Sequence, residues 1–364
     1  MLGLLRLRQE AVWLELLPGS GNEAEDRARS SLFRRRMAFY RLRYCLLYLQ
    51  SPNDVHELGA MKCIGMSRRE LLARLGAPNL LLNLSYSLHP PLLMQFERKL
   101  LCDLDPSEMF YWMTKLEMGQ SYHDEFWTIG LKAIAKDSHL PQFAPAGLAP
   151  AKIKWRTFYP LADTQFYTAR PSPRKIKFTT VGQWYWGGAV EVEGEFPELS
   201  KKQAFEPYLT LPRELPQAQF ELAMNLNPGD SEIERLERYG WRIVSPHLVA
   251  RTASAYRRYI GGASAEFTAI KGVDVAWRTG WLSDRAAAFM ASGRPVVTEN
   301  TGANDYLPQP NAFRFVDGRE SAVEALREIC ADWPRLSKLA RGNAIEVFDS
   351  AKNLRKILGL AQPA

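Results

Sequence analysis

Clustered cysteines and histidines, long apolar runs and an export signal are all missing from this 364-residue chain. Cys45, Cys63, Cys102 and Cys330 are scattered, with no C-x-x-C pair and no histidine at ligand spacing. Neither a disulfide framework nor a zinc site is expected, and a reducing cytoplasm fits. No stretch reaches the roughly 18 consecutive apolar residues of a membrane span, because "YCLLYL" and "NLLLNLSYSL" are too short. The opening "MLGLLRLRQE" starts apolar, but Arg6, Arg8 and Glu10 interrupt it before a signal-peptide core could form. Acids are absent from 27 to 49, a run that holds Arg27, Arg29, Arg34, Arg35, Arg36, Arg41 and Arg43.

What is present points to a globular α/β protein of two domains. Hydrophobic residues at 46% and charged residues at 24% argue against both a disordered chain and an integral membrane protein. The net charge of +7 favours phosphate-bearing small molecules, anionic lipid or a polyanion without choosing among them. Phe33, Met37, Tyr40, Tyr44 and Leu47 recur at helical spacing, which predicts one basic amphipathic helix over 27–49. Such a helix either docks on anionic lipid or nucleic acid or packs its apolar stripe on its own domain.

Ser67, Glu70, Gly76 and Pro78 frame a capped helix, followed by an apolar strand over 80–84. A second strand is expected over 100–104, and "HDEFWTIGLKAIA" reads as another that ends in a glycine turn. Residues 141–175, rich in proline and basic side chains, read as a loop and interdomain linker. Beyond them strands are expected at 176–181, 218–224, 241–245, 264–270, 295–299 and 312–316. Helices alternate with them at 230–239, 250–260, 283–292 and 319–331, and a last helical stretch covers 334–358. Strands and helices in alternation predict a parallel sheet.

"SDRAAAFMASGRPVVTENTGANDYL", residues 283–307, concentrates the candidate chemistry. Ser283 or Asp284 can cap a helix, "VVT" suits a buried strand, and "ENTG" places Glu299, Asn300, Thr301 and Gly302 at that strand's carboxyl end. Two helix starts there would offer backbone N–H groups to a phosphate or diphosphate. Lys271, Arg278 and Arg285 are candidate counter-cations. Asp103, Asp105 and His123 are candidate bases at expected strand ends. Each has a plainer alternative: a turn or cap residue for the aspartates, a hydrogen-bonded structural role for the histidine. "DLD" at 103–105 has the spelling of a D-x-D metal motif but lies in the first domain, so no metal site is expected.

"EFTAIKGVDVAWRTGWLSDRAAAFMASGRPVVTENTG" resembles the carboxyl-terminal, donor-binding half of GT-B glycosyltransferases, in a bacterial family 1/4-like group. "DLDP", "HDEFWTIG" and "FTTVGQWYW" are similar in order and spacing to strand ends of that group. The resemblance implies two Rossmann-like domains facing a cleft. It places an acceptor-side domain at 1–170, a nucleotide-sugar-binding domain at 171–333, and a carboxyl-terminal helix at 334–364 that crosses back to the first. It also implies a metal-independent, hexosyltransferase-like enzyme with a nucleotide-diphosphate sugar as donor substrate and no cofactor. The acceptor is a glycan, a lipid or a small molecule, and nucleic acid is not the expected partner. By the same resemblance Ser283, Arg285, Thr301 and Gly302 lie near the diphosphate and Glu299 near the sugar or nucleotide. Lys271 faces the cleft, and Trp184 belongs to a loop that faces the base.

Two departures stand out. Residues 1–60 show no opening strand with a glycine-rich turn, and Glu299-Asn300 replaces the group's usual Gln-Asp. A non-catalytic GT-B scaffold that binds polyanions, and a nucleotide-sugar epimerase, are the alternative functions. The enzyme is expected in the cytoplasm, with peripheral contact to the inner membrane through 27–49 as an option.

Overall fold

Three β-sheets carry the chain in a computed structural model that describes residues 1–51, 54–84, 88–136, 138, 153–171 and 173–361. These fall into two compact units. One is drawn from Met1–Leu104, Met113–Trp127 and Phe143–Arg156, the other from Asp105–Trp112, Thr128–Gln142 and Thr157–Ala364.

In the first unit, β1 (Trp13–Pro18) pairs in parallel with β2 (Tyr44–Leu49), and β3 (Lys62–Ile64) runs antiparallel to β2. Between β1 and β2 lies the turn Gly19–Ser20–Gly21 and then the helix Glu23–Phe39. Asn22 caps that helix by accepting from the Ala24 and Glu25 amides, and Glu23, Glu25 and Asp26 in its first turn suit the positive end of the dipole. After a short helix, Leu2–Arg6, the chain therefore does run through a strand, a glycine turn and a helix, contrary to the sequence expectation. Glu15 and Pro18 break the apolar pattern of β1, and most of its residues are only half buried. The helix expected over 27–49 is corrected as well: it ends at Phe39, Arg41 turns with φ +53°, and residues 44–49 are β2. A mostly buried strand is nearly continuously apolar, so it matches a helical period as readily as its own.

Gly19 makes the β1 turn possible, since a Cβ there would sit 2.4 Å from the backbone oxygen of Gln50. Gly19→Ala should cost about 1–3 kcal/mol by overpacking against a backbone atom that cannot move aside. Urea unfolding would register the loss, and an unchanged midpoint would show that the turn relaxes.

The second sheet is ordered β4-β5-β6-β7, from Leu80–Asn83, Arg98–Asp103, Glu125–Thr128 and Trp155–Thr157. Ahead of β4, Ser67 caps the helix Arg68–Leu75 through the Glu70 amide at 3.2 Å, as the sequence indicated.

The other unit is built on a six-stranded parallel sheet, β8 (Lys177–Gly182), β9 (Gln219–Met224), β10 (Arg242–Val244), β11 (Ala265–Thr268), β12 (Val296–Glu299) and β13 (Phe313–Val316). Its spatial order, β10-β9-β8-β11-β12-β13, is the doubly wound 3-2-1-4-5-6 pattern. Phe178, Phe220, Trp241 and Phe267 form one core cluster. A second joins Ala287, Ala288, Phe289 and Met290 to Val296, Phe313 and Phe348. The alanines of the helix Asp284–Ala291 let it lie close to the sheet.

Residues 157–171 are packed structure in this unit rather than the linker expected there. The Ala162 amide donates to Phe348 O at 2.9 Å, and Arg341 Nη1 donates to Tyr167 O at 2.7 Å. Of that expected linker, 141–152 and 172 lie outside the described residues, and Trp155–Thr157 is β7. Arg294 is fully buried, donates to the carbonyls of Arg170, Pro171 and Gly261, and stacks on Trp333 at 5.2 Å.

Candidate functional site

Strand order in a doubly wound sheet fixes where a ligand fits: beyond the carboxyl ends of the strands, at the point where the winding reverses. Here that point lies between β8 and β11, and charged side chains gather on it. Arg285, in the first turn of Asp284–Ala291, spans the gap. Its Nη1 donates to Val181 O of β8 at 2.9 Å, its Nη2 to Thr268 Oγ1 of β11 at 3.1 Å, and its Nε to Glu266. Glu266 lies in the middle of β11 with no exposure, and its Oε1 also accepts from Thr180 Oγ1 at 3.0 Å. Its Oε2 has no hydrogen-bond partner among the described residues.

Lys201 reaches the same spot from the short helix Lys201–Phe205, donating to Thr268 Oγ1 at 3.2 Å and to Ala269 O. Burial and the Arg285 guanidinium pull its pKa down to about 7, against the pull of Glu266 and Glu299. Glu299, at the end of β12, accepts from Tyr208 OH at 3.0 Å and from the Ile270 amide at 2.6 Å, and burial raises its carboxyl above the usual range.

A second cluster adjoins the end of β11. Lys271 pairs with Asp105 and with Glu108 Oε1 at 2.7 Å, and lies 5.2 Å from the centroid of the Trp186 ring. Trp186 Nε1 donates to Glu108 Oε1 at 2.5 Å. Burial works against the Lys271 charge, but Asp105, Asp274 and Glu108 outweigh it and hold its pKa above the usual value. Buried Asp274, which accepts from Thr279 Oγ1 at 3.0 Å, is lifted to about 7 by burial and by Asp105. Burial likewise raises Asp105, with Lys271 opposing. Among the described residues no set of three or more histidine, cysteine or acidic side chains is arranged to hold a metal ion.

No family model matches the sequence, and no curated protein matches it either. Solved structures do. Anabaena Alr3699/HepE, crystallised with UDP-glucose, superposes with a TM-score of 0.55 at 11% identity over 96% of this chain and 99% of that one. The same protein with UDP and glucose gives 0.53 at 12% identity, covering 96% and 98%. A glycosyltransferase from Rickettsia africae ESF-5 gives 0.54 at 10% identity, covering 96% and 97%. The chain has the GT-B glycosyltransferase fold.

Within this GT-B chain the expected donor residues are placed as follows. Ser283 is the cap of Asp284–Ala291, accepting from the Arg285 amide at 3.2 Å. Asn300 Oδ1 accepts from the Gly302 amide at 3.0 Å, and Thr301 Oγ1 donates to Trp281 O at 2.8 Å. Two of the amides expected to await a phosphate are thus already bonded within the chain. The second helix start is a 3-10 segment of only four residues, Ala303–Tyr306. Gly302 has φ +84°, and a Cβ there would lie 3.1 Å from Lys132 Cδ and 3.6 Å from Arg278 Nη2, so Arg278 and Lys132 border this turn.

Two expectations are corrected. Trp184 cannot stack on a base: its ring is fully buried and its Nε1 donates to Glu232 Oε2 at 3.2 Å. The exposed rings of that loop are Tyr185 and Trp186. His123 is buried in the first unit with both ring nitrogens engaged, Nε2 with Asn83 Nδ2 at 3.0 Å and Nδ1 with Gly119 O at 2.6 Å. Burial lowers its pKa, and the plainer, structural alternative holds.

The sequence reading missed Lys201, Lys132, Glu108, Glu266 and Tyr208 as parts of this arrangement. Only Glu266 left a signal, an acid inside an otherwise uncharged buried strand.

Proposed function

We propose that the chain transfers a sugar from a nucleotide-diphosphate sugar to an acceptor hydroxyl without a metal ion. The observation that carries this reading is the placement of Arg285 and Lys201 at the reversal point between β8 and β11, in a fold shared with a protein crystallised with UDP-glucose. The donor diphosphate lies against Lys201, Arg278 and Arg285 beside the Thr301–Gly302 turn, with Glu299 and Lys271 toward the sugar. Tyr185 or Trp186 faces the base. As the bond from the anomeric carbon to the phosphate oxygen breaks, the leaving diphosphate gains charge, and fixed cations stabilise it. Asp105, lifted by burial, accepts the proton of the acceptor hydroxyl.

Isothermal titration with UDP and UDP-glucose tests the reading, and affinity should be unchanged in EDTA. Loss of binding in EDTA would overturn the metal-free mechanism, and no binding of any nucleoside diphosphate would overturn the whole. Titration also exposes Lys201. Its folded pKa near 7 lies below the ordinary lysine value, so much of it is neutral at pH 8. An arriving diphosphate favours the charged form, and binding at pH 8 should take up a sizeable fraction of about one proton. The measured enthalpy then varies with the buffer's ionisation enthalpy in the wild type and ceases to do so in Lys201→Met. A wild-type enthalpy indifferent to buffer would remove Lys201 from the site.

A further inference from the structure

The segment that follows β6 carries a lysine to the carboxyl ends of the parallel sheet. Gly130 bridges Trp281, Leu131 N donates to Gly280 O at 3.2 Å, and Lys132 N donates to Thr279 O at 3.1 Å. Gly280 N in turn donates to Thr301 O at 2.7 Å, and Thr301 Oγ1 donates to Trp281 O. Three stretches of chain, 130–132, 279–281 and 301–302, are therefore tied side by side just beyond β12. Leu131 anchors the first of them in the core with Leu282 and Ala303. All three belong to the unit that holds the parallel sheet.

This tie brings two cations to one point. A Cβ on Gly302 would lie 3.1 Å from Lys132 Cδ and 3.6 Å from Arg278 Nη2, so both side chains pass over the same turn. Arg278 reaches it from a backbone held at φ +49°, a left-handed conformation unfavourable for any residue but glycine. The Arg278 side chain is half-buried, and its guanidinium has no hydrogen bond or ion pair among the described residues. Lys132 is 4% exposed, so its charge is little screened by solvent. Two neighbouring cations repel one another until an anion lies between them.

Position along the sheet decides which part of the donor they meet. Arg285 and Lys201 stand at the gap between β8 and β11, next to the loop of Tyr185 and Trp186 that follows β8. Lys132 and Arg278 stand at the end of β12, one strand further along. Two cation pairs in that order suit two linked phosphoryl groups, the nucleoside-side phosphate at the first pair and the terminal phosphate at the second. We propose that Lys132 and Arg278 together seat the terminal phosphate of the donor, the group that gains charge as its bond to the anomeric carbon breaks. This seat rests on the donor reading above; what it adds is a residue from the segment after β6 and a division of the two phosphates between the two pairs.

Isothermal titration of the full chain with UDP, UMP and inorganic diphosphate separates the two phosphates. The wild type should bind UDP more tightly than UMP. Lys132→Met keeps the length of the side chain and removes its charge. It should weaken UDP and inorganic diphosphate about tenfold or more and leave UMP within a factor of about two, so that the preference for UDP disappears. Arg278→Met should do the same, and because that side chain is half-buried and unpaired its unfolding midpoint should match the wild type. Lys132→Gln is the second variant at the buried position, and it should show the same selective loss. Equal losses of UDP and UMP in the Lys132 variants, or no loss, would overturn the seat while wild-type nucleotide binding keeps the donor reading in place. A wild type that binds inorganic diphosphate but no nucleoside diphosphate would instead overturn the donor reading, the seat then standing or falling on the loss of inorganic diphosphate in Lys132→Met. Binding of neither would overturn both.

Discussion

Replacing Arg285 by alanine should lower the unfolding free energy by about 3–5 kcal/mol near pH 8, the cost of leaving a buried charge without its partner. Glu266 is completely buried and one of its oxygens already lacks a hydrogen bond; the substitution removes the guanidinium from the other. Urea unfolding at pH 8 would measure this. Arg285→Ala combined with Glu266→Gln should recover much of the stability while nucleoside diphosphate binding stays weak. That double variant separates the scaffolding contribution of the ion pair from the affinity for phosphate. A single variant within 1 kcal/mol of wild type at pH 8 would mean that the pair is hydrated and that its partners across β8 and β11 hold the ends together without it.

Lys271→Met should cut turnover by about 10²–10³-fold, the usual consequence of removing one fixed donor from a developing negative charge. The ammonium is seated between Asp105 and Glu108 and against Trp186, so it is held in place before any donor arrives. Asp105→Asn is the informative companion. Loss of a proton acceptor costs about 10²–10⁴-fold, whereas loss of a mere counter-ion for Lys271 leaves turnover within a factor of ten. Steady-state rates with a nucleotide sugar that binds by titration distinguish the two. Full activity in Lys271→Met would remove Lys271 from the reacting end of the donor.

The second unit was legible in the sequence nearly element by element because its strands are short, β-branched and separated by helices with strong punctuation. Gly293 and Pro295 close one helix and open β12, Ser283 caps that helix, and Thr252 and Asp230 cap the helices Ala253–Gly261 and Ser231–Arg238. The first unit was less legible where burial and polarity disagree. β1 contains Glu15 and ends in proline, and β2 is so uniformly apolar that it carries no period of its own. The site divided along the same line. Residues on the carboxyl ends of strands, Glu299 to Gly302 and Lys271, follow from strand position. Lys201 arrives from a five-residue helix far along a loop, and Glu108 from a helix 163 positions before Lys271 in no recognisable motif, so only three-dimensional packing unites them. Trp184 shows the converse: sequence placed an aromatic loop near the base, but only burial decides which of three adjacent rings turns inward.

Arg294 sets a rule for dissecting this protein. Its guanidinium sits in a dry socket whose walls include the main-chain oxygens of Arg170 and Pro171. A fragment trimmed to begin at Lys175, just ahead of β8, would keep every strand of the parallel sheet yet strip two acceptors from that socket. Gene truncations meant to yield the sheet-bearing half in isolation should therefore start upstream of Thr157, where the extended segment that lines the socket begins.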